Sequence, residues 1–198
     1  LSDHVRPYQL TLESGATLSV GGYDLVVDDA LYNDGTVYLE GTGGLVLTTP
    51  DLDSGTFVYQ GDGAGGTIPW AAGGHPASFY DVRFDDVDGG VFDLGTDLFI
   101  YGSFFVDDGE VNASAVSLDV DGGVYLAGGT LTAPGAGETF VFEGDWSLSA
   151  PGVFDANAGT VTVGPGGVTT FGGSTTFFDL SLSVLTGKTI YFEGGETQ

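Results

Sequence analysis

The chain has no cysteine and no methionine, and only three basic residues, Arg6, Arg83 and Lys188, in 198. Without cysteine there is no disulfide framework, no thiolate metal site and no cysteine nucleophile. Three cations against 28 acidic residues give a net charge of −25. That balance argues strongly against nucleic acid, because phosphate binding runs on Lys and Arg, and it disfavours anionic membrane surfaces. No apolar run approaches the ~20 residues that a membrane-spanning helix needs, so no membrane insertion is expected. Nor does any stretch of a dozen residues carry apolar spacing of period 3.6 without a Gly, Pro or β-branched interruption. The missing Met at position 1 suggests a processed mature chain or a piece of a longer protein, with any signal peptide already gone.

What is present is glycine, 36 residues of it, set among a 41% apolar and 13% aromatic composition. There is no G-X-Y period, and this much hydrophobicity is incompatible with disorder. Short runs of Val, Thr, Leu, Phe and Tyr alternate with polar residues and end at Gly or Asp-Gly, as in Thr36–Leu39, Leu45–Thr49, Thr56–Gln60, Thr160–Val163 and Thr189–Phe192. Such runs read as strands of three to seven residues.

Near-copies recur along the chain. DVDGGV stands at 86–91 and again at 119–124, and SFYDVRF at 78–84 matches TFFDLSL at 176–182. Each of the latter pair follows a similar lead-in, GTFVY at 55–59 and GTVTV at 159–163. The spacing predicts coils of about 20 to 25 residues that bury their apolar faces only by stacking. The expected fold is therefore all-β: one parallel β-solenoid over residues 1–198, of roughly nine coils, with a loop excursion at 61–76. The alternative is one or two β-sandwiches with hairpins closed by the Asp-Gly pairs at 34–35 and 108–109.

The runs TFFDLSL at 176–182, GKTIYF at 187–192, GDWS at 144–147 and GVFDANAGTVTV at 152–163 resemble repeats of large secreted bacterial surface proteins. Those repeats look like parallel β-helix modules of adhesin-like and filamentous exoproteins. The similarity covers residues 78–198 well and 1–77 loosely, and this chain departs from the pattern by placing Asp where Asn and Thr are usual. The resemblance implies architecture and an extracellular, cell-surface location, and it brings no catalytic residues.

For chemistry, the aspartates come first. Asp85, Asp86 and Asp88 precede Gly89 and Gly90, and Asp119 and Asp121 precede Gly122 and Gly123. In a strand, i and i+2 point the same way, so Asp86 and Asp88 are candidates to share a Ca²⁺, which takes six to eight oxygens. The alternative is solvated aspartates at strand ends; neither segment has the spacing of an EF-hand loop or of a calcium roll. The pair Asp85-Asp86 resembles the adjacent-aspartate element of pectin hydrolases, but the Gly-His-Gly and Arg-Ile-Lys elements are missing, and only Arg83 lies near. His4 and His75 accompany no G-x-S-x-G elbow, and no phosphate-binding loop follows the glycine clusters. No enzyme activity is expected.

Trp70 and Trp146 are candidate platforms for surface glycans, with Trp70 expected to be exposed. Phe92, Phe99, Phe104, Phe140 and Phe154 are expected to fill the interior. Asn112-Ala113-Ser114 is a glycosylation sequon. The expected role is a structural or adhesive module that self-associates head to tail or by strand donation; the alternatives are a glycan-binding module and, behind it, a polysaccharide-degrading β-helix enzyme.

Overall fold

The computed structural model describes residues 4–70, 73–183 and 187–194. Every strand pairing in it is parallel, which fits a coil and leaves no hairpin. The longest sheet has nine strands, from Thr17–Gly21 at one edge to Thr189–Phe192 at the other. Its strands begin 19 to 25 residues apart, giving a solenoid of about eight turns. Eight steps of ~4.8 Å make a column about 38 Å long.

From residue 67 onward each coil has three faces. A five-stranded sheet runs from Thr67–Pro69 to Val153–Asp155, a six-stranded sheet from Ser78–Phe79 to Asp179–Leu182, and the nine-stranded sheet completes the turn. Nearer the N-terminus, the ten-residue strand Asp24–Asn33 covers two faces at once. It pairs with His4–Val5 and Leu10–Leu12 on one side and with Leu45–Thr49 on the other.

Alternation sets which side chains go inside, and register stacks them. One inward column of the nine-stranded sheet reads Leu18, Val37, Phe57, Val82, Phe104, Val124, Trp146, Phe171, Phe192. The five-stranded sheet contributes Ile68, Phe92, Val111, Leu131 and Phe154. Full burial of one such side chain is worth roughly 1.5–3 kcal/mol, and a lone coil offers no second layer to achieve it. Stacking supplies that layer. At the corner entering the nine-stranded sheet, Gly102, Gly122 and Gly144 lie one on another, with the N–H of each later glycine donating to the carbonyl before it at 2.8 Å.

One expectation is corrected here. Within the segment 61–76, expected as a loop excursion, Thr67–Pro69 is a strand of the five-stranded sheet and Trp70 is 1% exposed in the core, while residues 71–72 lie outside the described residues. The near-copies also do not occupy equivalent places. Thr56–Tyr59 stack on Asp81–Phe84 in the nine-stranded sheet, whereas Thr160–Val163 stack on Asp179–Leu182 in the six-stranded sheet. The repeated unit is thus a pair of stacked strands that recurs on a different face. The two DVDGGV copies likewise sit at different corners, one leading into Val91–Asp93 and the other into Val124–Leu126.

Candidate functional site

The sequence-predicted aspartates separate into three environments. Asp86 follows the end of the strand Asp81–Asp85, and its side chain turns inward to 1% exposure. Its carboxylate accepts from the N–H of Asp88 at 3.0 Å and of Gly90 at 2.9 Å. A Cβ at either Gly61 or Gly90 would collide with that carboxylate, so both neighbours must lack one. Asp86 is therefore a buried turn group, whereas Asp88 is exposed. The expected alternation fails because the chain has already left the strand.

Asp85 faces the opposite way, half-buried. Burial and the nearby Asp107 and Asp108 carboxylates raise its pKa, and Arg83 opposes them. Asp85 and Asp86 thus lie in different environments, one half-buried beside Arg83 and the other buried. Asp119 and Asp121 lie on the six-stranded face beside the exposed Phe99 and Tyr101; burial, then Asp121, raises the Asp119 pKa. Among the described residues, no three His, Cys, Asp or Glu side chains are grouped to hold a metal ion.

The expected glycan platforms are also relocated. Trp70 and Trp146 are each 1% exposed. Trp70 packs against Tyr59 and His75, with ring centroids 4.2 and 4.3 Å away. The Trp146 indole N–H donates to Thr175 Oγ1 at 2.9 Å. Phe92, Phe104 and Phe140 are in the core and Phe154 packs against it, but Phe99 points outward because its neighbours Leu98 and Ile100 point in. The sequon residue Asn112 lies on the five-stranded sheet, where its amide donates to Asp93 Oδ1 and its Oδ1 accepts from the N–H of Ser114.

The most structured outer surface lies on the nine-stranded sheet. Its central outward column reads Tyr38, Val58, Arg83, Phe105, Tyr125, Ser147, Gly172. The Arg83 guanidinium sits 4.3 Å from the Phe105 ring centre and pairs with Asp107. Phe105 and Tyr125 stack with centroids 5.1 Å apart and planes 16° from parallel. Then the column drops from rings to Ser147 and Gly172, and the drop opens a hollow of about 670 Å³. Tyr125, Asp145, Ser149, Thr170 and Glu193 are among the residues that line it. Burial, then Asp145 and Asp81, hold the Tyr125 phenol above its ordinary pKa, so it is protonated at neutral pH. Sequence reasoning missed this hollow; the signal was a pair of outward aromatics one coil apart followed by two small residues, legible only once register is known.

The three cations are all engaged. Arg6 pairs with Asp28, Arg83 with Asp107, and Lys188 Nζ donates to the Glu143 carbonyl at 2.8 Å. Among the described residues, no helix is long and apolar enough to cross a membrane. No protein-family model, curated protein or solved structure matches the chain.

Proposed function

We propose that this chain is a structural or adhesive module of an extracellular surface protein, acting as a short stiff rod without enzymatic activity. The observation that carries the reading is the inward column from Leu18 to Phe192, which runs through all nine strands of the longest sheet. A molecule organised around that column is shaped by coil stacking. The engagement of every cation, and of Asp86 by backbone N–H groups, supports the absence of polyuronate cleavage, since such chemistry needs cations at the developing charge.

Among the described residues, the last rung of the column lies at the edge of its sheet. Phe192 stacks on Phe171 with centroids 5.0 Å apart yet is 51% exposed, in a strand at the edge of its sheet. An exposed edge with an apolar inner face is a template for another strand. The occupant we assign is a second copy of this chain, stacked head to tail. Sedimentation and electron microscopy across protein concentration test it: particles that lengthen in steps of about 40 Å support association, and a monodisperse monomer at high concentration, with and without Ca²⁺, overturns it. Release of reducing ends or unsaturated products from a polyuronate would overturn the non-enzymatic part.

A further inference from the structure

We propose that the hollow between Tyr125 and Glu193 on the nine-stranded face binds a neutral saccharide, with a pyranose ring stacked on Tyr125 and its hydroxyls donating to Asp145 and Glu193. This names a ligand class for the adhesive reading and rests on the solenoid itself, independent of end-to-end association.

The argument begins with register. Tyr125, Ser147 and Gly172 are consecutive rungs of one outward column, and Phe171 pairs with Phe192, which brings Glu193 beside Gly172. A Cβ added at Gly172 would come within 2.9 Å of Glu193 Oε2, so the Glu193 carboxylate lies over the floor of the hollow. Three steps of ~4.8 Å separate the Tyr125 rung from the Glu193 rung, about 14 Å, a length suited to a short oligosaccharide. Phe105 covers one face of the Tyr125 ring, and Tyr125 lines the hollow. The Phe105 stack fixes the plane of that ring before any ligand arrives, which lowers the ordering cost of binding.

Chemistry then selects the ligand. Carboxylates only accept hydrogen bonds, and those they accept from hydroxyls are short and strong. Asp145 already accepts from the Thr170 N–H at 2.7 Å, which holds it in place. Ser147, Ser149 and Thr170 add hydroxyls that both donate and accept. A ligand that suits this lining carries many O–H donors, one apolar face and no negative charge. A pyranoside without carboxyl or sulfate groups satisfies all three. Anionic sugars are disfavoured by the Asp145 and Glu193 carboxylates in the lining and by a net charge of −25. The volume, about 670 Å³, falls in the range of ligand sites.

The test is titration of the purified chain with hexasaccharides of glucose, xylose, mannose and N-acetylglucosamine, with hexagalacturonate and a lysine-rich peptide alongside. Binding is read by calorimetry and by NMR of the tyrosine ring. At least one neutral hexasaccharide is expected to bind, and hexagalacturonate is not. Tyr125→Ala should weaken that binding tenfold or more. Ser147→Phe, which continues the outer ring stack and fills the hollow, should abolish it while the melting temperature holds. No neutral sugar bound at millimolar concentration, tighter binding of the uronate or the peptide, or binding that survives Ser147→Phe each overturns the proposal. Particle length measured on the same samples reports on end-to-end association separately.

Discussion

The buried carboxylate of Asp86 accepts a hydrogen bond from the backbone N–H of Gly90 at 2.9 Å, tying the end of one strand to the start of the next face. Asp86→Ala leaves the N–H groups of Asp88 and Gly90 without that acceptor. Leaving a buried donor unpaired costs roughly 1–3 kcal/mol. The expected outcome is a fall in the urea midpoint of that order for Asp86→Ala and almost none for the exposed Asp88→Ala. Equal effects of the two substitutions would show that Asp86 is not the corner's structural acceptor.

Gly55 and Gly15 form a natural control pair. Both have positive φ, +78° and +79°, but a Cβ at Gly55 would strike the backbone oxygen and side-chain amide of the buried Asn33, while a Cβ at Gly15 meets nothing within 4 Å. Gly15→Ala should cost only the left-handed backbone term, roughly 1–2 kcal/mol. Gly55→Ala adds overpacking, about 1–3 kcal/mol more. Chemical denaturation of both variants checks the order, and a Gly15 variant as damaged as the Gly55 one contradicts it.

His75 gives the fold a pH-dependent element. Burial against Tyr59 and Trp70 lowers its pKa to about 4, with Asp24 opposing. The unfolded chain therefore binds more protons between about pH 6.5 and 4, so this contribution to stability is complete above 6.5 and lost as pH falls toward 4. Carboxylates with raised pKa, Asp81, Asp85 and Asp119, act in the opposite sense over the acidic end of the same range. The isolating measurement is the stability difference between the parent chain and His75→Gln. It should shrink as pH drops from 7 to 4.5; a difference that stays constant with pH counts against the buried neutral imidazole.

Charge sets the response to salt. With a net charge of −25, self-repulsion destabilises the compact state at low ionic strength, and screening relieves it. The melting temperature should rise steeply from 10 mM to 500 mM NaCl. CaCl₂ and MgCl₂ compared at matched ionic strength separate screening from a site. An excess shift unique to Ca²⁺, lost in a variant lacking Asp119 and Asp121, would place a bound ion on the six-stranded face. Equal shifts for both cations indicate a diffuse counterion atmosphere.

Much of the architecture was legible because alternation survives in strands of four or five residues. Leu45–Thr49, Thr56–Gln60, Thr160–Val163 and Thr189–Phe192 stand where their patterns put them. The five-stranded sheet was invisible: each of its strands has three residues and one inward side chain, such as Phe92 between Val91 and Asp93. One apolar residue has no period. The same limit hid the burial of Trp70, which follows the short strand Thr67–Pro69 inside a glycine-rich stretch. The hollow beyond Tyr125 depends on residues more than 60 positions apart, and only the register of four strands brings them together.

The paired strands that recur on two faces have a consequence for how this chain changes length. Thr56 lies against Asp81 on one sheet and Thr160 against Asp179 on another, with similar neighbours in sequence. A strand with its corner is therefore interchangeable among faces, because each face asks only for alternate apolar residues and a glycine to turn on. Inserting or deleting one such piece advances every later strand by one face, a phase shift of a third of a turn, while the interior stays apolar. Surface features that follow such a piece, the Tyr125 hollow among them, are carried to a new compass bearing around the axis relative to the coils before it.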